Sequence, residues 1–232
     1  MLNNLQQLAN ERKSIVNGRK LLLFCVACYR TQIATAGASL ASAVAEATEA
    51  IADGQAEYSR IHHLWQEAER AVRTSRKNYA TVCEDWEGLA YSFVAQVLSV
   101  TTPGITREQR ATRSADAAAR VIDEVRKSSS TELTGARRKQ AVRVAEAALC
   151  KSLRDIFGNP FHPVEFSLSW RTGTAFTLAG QMYESRDFSA MPILADALQD
   201  SGCDNADILD HCRGPGLHVR GCWVVDLVLG RE

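Results

Sequence analysis

Helix-breaking residues are distributed unevenly along this chain, and their placement limits what it can fold into. Four of the five prolines, three of the seven cysteines and three of the five histidines lie between Arg154 and Glu232. Before that point the sequence is rich in alanine, with apolar residues at the three- and four-residue steps of an amphipathic helix. Leu40, Val44, Ala47 and Ile51 make one such stripe over 37–53, ended by Asp53-Gly54. Tyr58, Ile61, Leu64 or Trp65, Ala68 and Val72 make a second. Val82, Trp86, Leu89, Phe93 and Val97 make a third, with a polar joint over 73–78. Thr101-Thr102-Pro103-Gly104 breaks the pattern, and Thr106 with Gln109 forms a capping box for a helix to about Lys127. After Ser128-Ser129-Ser130-Thr131 another helix runs to Phe157, where Gly158-Asn159-Pro160 stops it. Leu2, Leu5 and Leu8 suggest a short helix at the start of the chain. The nearly continuous apolar run over 19–34 reads as a buried helix, although its length also admits a strand.

The C-terminal third is punctuated more closely. Pro163 disfavours helix at His162, so Phe161, Val164, Phe166, Leu168 and Trp170 belong to an extended strap. A helix over 171–184 buries Phe176, Leu178, Ala179 and Met182. Ser189 caps the next, with Pro192 in its first turn, and Gly202 ends it. Asp204 caps a short helix through Ile208, Leu209 and Cys212. The last element, 219–229, is apolar nearly all round and reads as helix, with Val224-Val225 pulling toward strand. The expected fold is all-α, an antiparallel helical bundle or helical array with a compact C-terminal helical cap and one extended strap at about 158–170. The expected division is an alanine-rich helical region over 1–157 and a compact block over 158–232 packed on it as one cooperative unit.

Composition narrows the function classes. With 46% apolar and 23% charged residues and zero net charge, bulk charge argues for neither nucleic acid nor membrane. The balance hides two blocks: twelve Lys/Arg against six Asp/Glu over 106–154, and six aspartates with no basic residue over 187–210. The favoured reading is that both are solvated or face each other, with nucleic-acid binding through 106–154 as a lesser alternative because no aromatics interleave the basic residues. Seven irregularly spaced cysteines fit a reducing, cytoplasmic setting better than a disulfide framework. No run reaches the roughly 18–20 apolar residues of a membrane span. Arg19-Lys20 before Leu21-Leu22-Leu23-Phe24-Cys25-Val26-Ala27-Cys28 imitates a signal peptide, but the run is short and a long polar lead precedes it.

The segments DIFGNPFHPV, MPILADALQDSGCDNADILDHCR and HVRGCWVVDLVLG, with Trp170 among them, resemble the C-terminal block of a large paralogous family of planctomycete proteins. NGRKLLLFCVACYR resembles the opening of the same family, a basic segment running into a helix rich in Leu, Phe, Cys and Ala. Family members tend to carry a third cysteine where Tyr29 stands here and an aromatic near Ile33-Ala34, which weighs against a metal site at the N-terminal cysteines. The resemblance implies one folded unit and no particular activity.

Three groups of residues could carry chemistry. Cys203, His211, Cys212, His218 and Cys222 lie within twenty residues and are zinc-ligand types, with His218 and Cys222 spaced to share a helix face. Their spacing matches no established finger, and buried cysteines with helix-end histidines explain them as readily. Cys25-Val26-Ala27-Cys28 is a CxxC, which would be redox-active only at a helix N-terminus. Asp226 lies in an apolar run and calls for a partner, Arg213 or Arg220. His62-His63 and the aspartates at 196, 200, 204, 207 and 210 read as solvated faces and caps. No catalytic motif is present. The sequence therefore points to a non-enzymatic interaction or regulatory module with a protein partner and no membrane, with zinc binding as the alternative.

Overall fold

In the computed structural model the described residues are 18–33, 39–56, single positions and short groups between 59 and 70, and 135–231. The helices expected over 2–10, 82–97 and 106–127 lie outside them. Every regular element among the described residues is helical, as the all-α expectation requires. The elements are α1 (Gly18–Ile33), α2 (Ser39–Ala52), α3 (Gly135–Phe157), a 3-10 turn (Leu168–Trp170), α4 (Gly173–Ser185), α5 (Met191–Asp200), α6 (Ala206–Arg213) and α7 (Trp223–Leu229). The chain forms two compact units, 1–149 and 150–232. That division falls inside α3, earlier than the stop at Gly158. The last turns of α3 thus belong to the C-terminal unit, where the Asp155 carboxylate accepts the Val219 backbone N–H at 2.8 Å.

In the first unit α1 packs on α2. Leu21 through Tyr29 are all buried, so this helix is enclosed on every side, as its unbroken apolar run predicts. Arg19 at the start of α1 pairs with Asp53 beyond the end of α2, and Arg30 pairs with the buried Glu49, each at 3.0 Å.

In the second unit the helices contact in a ring: α4 with α5, α5 with α6, α6 with α7, and α7 with α4. Met182, Tyr183, Met191, Leu194, Leu198, Ile208, Val224, Val225 and Val228 fill the middle. Each large side chain buried this way contributes roughly 1.5–3 kcal/mol. The expected strap is non-helical from 158 to 167, then closes into the 3-10 turn. Val164, Phe166 and Trp170 pack against the core, but Phe161 and Leu168 are exposed. Phe176, expected in the core, is also exposed; Ala175 and Tyr183 take the inward positions of α4 with Ala179 and Met182.

Two caps sit elsewhere than the sequence suggests. The N-cap of α5 is Ala190, without a side-chain hydrogen bond, because Pro192 in the first turn pre-sets the backbone in its place. Asn205, not Asp204, caps α6, its side-chain oxygen accepting the Ile208 N–H at 3.2 Å. The last element is shorter than 219–229: α7 starts at Trp223, and residues 219–222 form a turn closed by Cys222 N–H on the Val219 carbonyl. His218 and Cys222 therefore do not share a helix face. They meet because the turn folds the loop over the N-terminus of α7.

Candidate metal centre

Four side chains of the second unit converge. Asp155 comes from the last turn of α3, His211 from the last turn of α6, His218 from the loop after it, and Cys222 from the N-cap of α7. One ligand atom from each lies within 4.8 Å of all the others. His218 Nδ1 is 2.7 Å and His211 Nε2 3.2 Å from Asp155 Oδ1. Cys222 Sγ is 3.2 Å from His211 Nε2 and 3.9 Å from His218 Nδ1. The set is enclosed: side-chain exposure is 4% for Asp155, 7% for His218 and 18% for His211, and Cys222 is fully buried.

Local structure explains each placement. The turn at Gly214-Pro215-Gly216 returns the chain from α6, and Gly216 lies against the His218 ring, 3.6 Å from where a Cβ would stand to Nε2. The His211 ring packs edge-on to His218 and against Trp223, with centroids 4.9 and 5.1 Å apart. Trp223 is held from behind by Gly158, whose left-handed backbone (φ 61°) ends α3; a Cβ there would approach the indole to 3.2 Å.

The electrostatics concern one carboxylate and one thiol. Burial pushes Asp155 up, but hydrogen bonds from His211 and His218 and the Val219 N–H outweigh it and hold the carboxyl below its ordinary range. Burial and then the nearby Asp155 charge push the Cys222 thiol well up. Asp155 is thus satisfied as a carboxylate by its neighbours, while the Cys222 thiol is held in its neutral form by burial.

The geometry also excludes a nucleophilic relay. In a Cys-His-Asp relay the thiol and the carboxylate face opposite ring nitrogens. Here the same nitrogen of each ring faces both: Nε2 of His211 and Nδ1 of His218 look at Asp155 and at Cys222. Four potential donor atoms within 4.8 Å of one another, rather than strung along a chain, form a cluster that could hold an ion.

Of the residues that the sequence proposes, His211, His218 and Cys222 come together. Cys203 and Cys212 do not join them but are buried in the apolar core, their thiols pushed up mainly by burial, Cys212 to about 12. Asp155 was not foreseen. It stands 63 positions from His218, beyond any local spacing rule. One signal was present in the sequence: an aspartate in the last turn of a helix opposes the dipole and needs a compensating partner.

The remaining candidates resolve separately. Arg213 does not pair with Asp226; its guanidinium reaches Asp196 at 2.8 Å and Gln199 at 2.6 Å across to α5. Asp226 and Arg220 are both buried, and the Arg220 guanidinium lies over the Tyr183 ring, 4.4 Å from its centroid. Cys25 and Cys28 sit in the interior of α1, not at its N-terminus, and burial pushes Cys25 up to about 12, the opposite of a reactive redox thiol. His62 and His63 are exposed. Among the described residues no helix is long and apolar enough to cross a membrane. Comparison with protein-family models, curated proteins and solved structures found no match to this chain.

Proposed function

We propose that the C-terminal unit is a zinc-binding module in which Asp155, His211, His218 and Cys222 hold one ion in a structural role. The observation that carries this is the convergence of four ligand atoms from α3, α6, the loop after α6 and the N-cap of α7. Tetrahedral zinc with nitrogen or oxygen at 2.0–2.2 Å and sulfur at 2.3 Å sets neighbouring ligand atoms about 3.3–3.6 Å apart. The contacts of the histidines with Asp155 and Cys222 run from 2.7 to 3.9 Å, around that edge, and all four ligand atoms lie within 4.8 Å of one another. Mixed thiolate, imidazole and carboxylate donors suit zinc and do not suit calcium or magnesium, which take oxygen. Asp155 offers Oδ1 while its Oδ2 is engaged by the Val219 N–H, the kind of outer hydrogen bond that orients a ligating carboxylate. Four protein ligands leave no open position, so the reading is a clamp and not a hydrolytic centre.

Chain purified without chelator, then incubated with zinc and desalted, should retain about one equivalent, and cobalt in its place should give the intense visible bands of a tetrahedral ion bound by sulfur. Retention below roughly a tenth of an equivalent would end the proposal. A second reading, a non-enzymatic protein-interaction module, is favoured by the exposure of Phe161, Leu168, Phe176, Ile193 and Leu217 on this unit. The two are compatible, since a structural ion can shape a docking surface. Replacing Leu168 and Phe176 by serine should lower hydrophobic-dye binding without changing zinc content. Unchanged dye binding would remove this second reading.

A further inference from the structure

Of the basic stretch over 106–154, the described part is helix α3, and its charged face carries an observation of its own. Helix α3 exposes Arg137, Lys139, Arg143, Lys151 and Arg154. None of the five has an ion-pair partner among the described residues. At about 100° per residue they fall within a roughly 160° arc of the helix surface. Neither acid of α3 is exposed: Glu146, just outside the arc, is half-buried, and Asp155, at the same angle as Arg137, is buried in the candidate metal centre. Between the basic residues the arc exposes Ala136, Gln140, Val144 and Ala147 and holds the half-buried Cys150.

Five exposed cations on one helix face, without an ion-pair partner among the described residues, repel one another, and an anionic partner removes that repulsion. We propose that this face of α3 binds double-stranded DNA through its phosphates, without reading sequence. A membrane surface is disfavoured because an interfacial helix buries a broad apolar face with large side chains, and Val144 with two alanines cannot supply one. Single strands are disfavoured because the arc between Arg137 and Arg154 has no aromatic residue on which bases could stack. A duplex fits. The arc has two margins, Lys139 on one side and Lys151 with Arg137 on the other, which suits the two phosphate rails flanking a B-form major groove wide enough for a helix. The deep, narrow major groove of A-form RNA does not admit one. From Arg137 to Arg154 the face extends about 26 Å, or roughly seven to eight base pairs. Gln140 is the only uncharged polar side chain on the arc able to read a base edge, so the binding is carried by charge.

The test is fluorescence anisotropy of the full chain with a labelled 24-base-pair DNA duplex of mixed sequence, repeated over a salt series. Five phosphate contacts predict a slope of log K against log salt near −4.5. The variant K139Q/R143Q/K151Q, all exposed and with helix propensity kept, should lose at least tenfold in affinity at low salt and flatten the slope to about −1.8. The charge-preserving K139R/R143K/K151R should bind as the parent does. Circular dichroism of both variants should match the parent, so that a loss is a loss of charge and not of fold. No duplex binding at low salt overturns the proposal, as does equal binding by the glutamine variant. Tighter binding to duplex RNA, to phosphatidylserine vesicles or to polyglutamate than to the DNA overturns it in favour of those partners.

Discussion

Asp155 divides its carboxylate between two tasks: Oδ2 takes a backbone N–H from the 214–222 loop, and Oδ1 faces both histidines. Removing it therefore takes away a ligand and the loop's anchor together. Outer-shell changes around a metal typically cost 10–100-fold in affinity, so Asp155→Ala should weaken zinc binding on the order of a hundredfold or more. Cys222→Ser, His211→Ala and His218→Ala should do the same in a competition titration with a chromogenic chelator. Cys203→Ala and Cys212→Ala should leave stoichiometry at one, because both thiols lie in the apolar core. Loss of zinc in these last two, with the four ligand variants unaffected, would point to a different set. The sequence shows the histidines and Cys222 because rare residue types crowd twenty positions. It cannot show which of five candidates converge, because loop geometry decides that and not spacing. The cysteines also carry a pH prediction. Burial raises the folded-state pKa of Cys25 from 9.0 to about 12. Because the folded value lies above the unfolded one, the stabilising term from the neutral thiol is fully present below about pH 9 and is lost as pH rises toward about 12. At pH 8, iodoacetamide should accordingly modify the half-exposed Cys150 before Cys25, Cys28, Cys203, Cys212 or Cys222. Peptide mass spectrometry with time settles the order, and early labelling of Cys25 would contradict it.

At the scale of elements, glycines in the sequence mark the ends of helices more directly than polar residues mark their caps. Gly54, Gly158 and Gly202 each adopt positive φ at or just beyond the end of the helix that the sequence marks there. Caps depend on which of two neighbouring side chains reaches the free N–H groups, and Asp204-Asn205 offers both. The structure awards α6 to Asn205, so Asn205→Ala should cost about 1 kcal/mol and Asp204→Ala a few tenths at most, measured by urea denaturation. Equal effects would mean that the cap is shared. Gly158 is a sharper case, since a side chain there meets both a left-handed backbone and the Trp223 ring at 3.2 Å. Gly158→Val should cost about 2 kcal/mol or more and shift the Trp223 indole off His211. The outward turn of Phe176 and Leu168 had no signal in the hydrophobic pattern. Helical periodicity gives an apolar face, and which part of that face meets a neighbour depends on the packing angle between helices.

For the molecule as a whole, the ring of α4 to α7 buries a modest core, and the candidate metal centre lies where one buried carboxylate and an uncharged thiol join the end of α3 to α6 and α7. Small cores of this kind are commonly stapled by a metal or disulfides, and the cysteines described here are free. Zinc that binds the folded unit and not the unfolded chain stabilises it by RT ln(1 + [Zn]/Kd), about 2.7 kcal/mol at a hundredfold excess over Kd. For a domain near this size each kcal/mol moves the midpoint by roughly 4–8 °C, so the second unit should melt about 10–20 °C higher with zinc than after exhaustive chelation. The first unit has no such group among its described residues and should keep its own transition in both conditions. Differential scanning calorimetry of the full chain separates the two, because only one transition should depend on zinc concentration. Asp155→Ala should remove that dependence while leaving the first transition in place. If chelation moves both transitions equally, the two units melt as one and the ion supports more than its own ring of helices. If it moves neither, the four side chains hold one another without a metal, and the cost of burying them is met by the core alone.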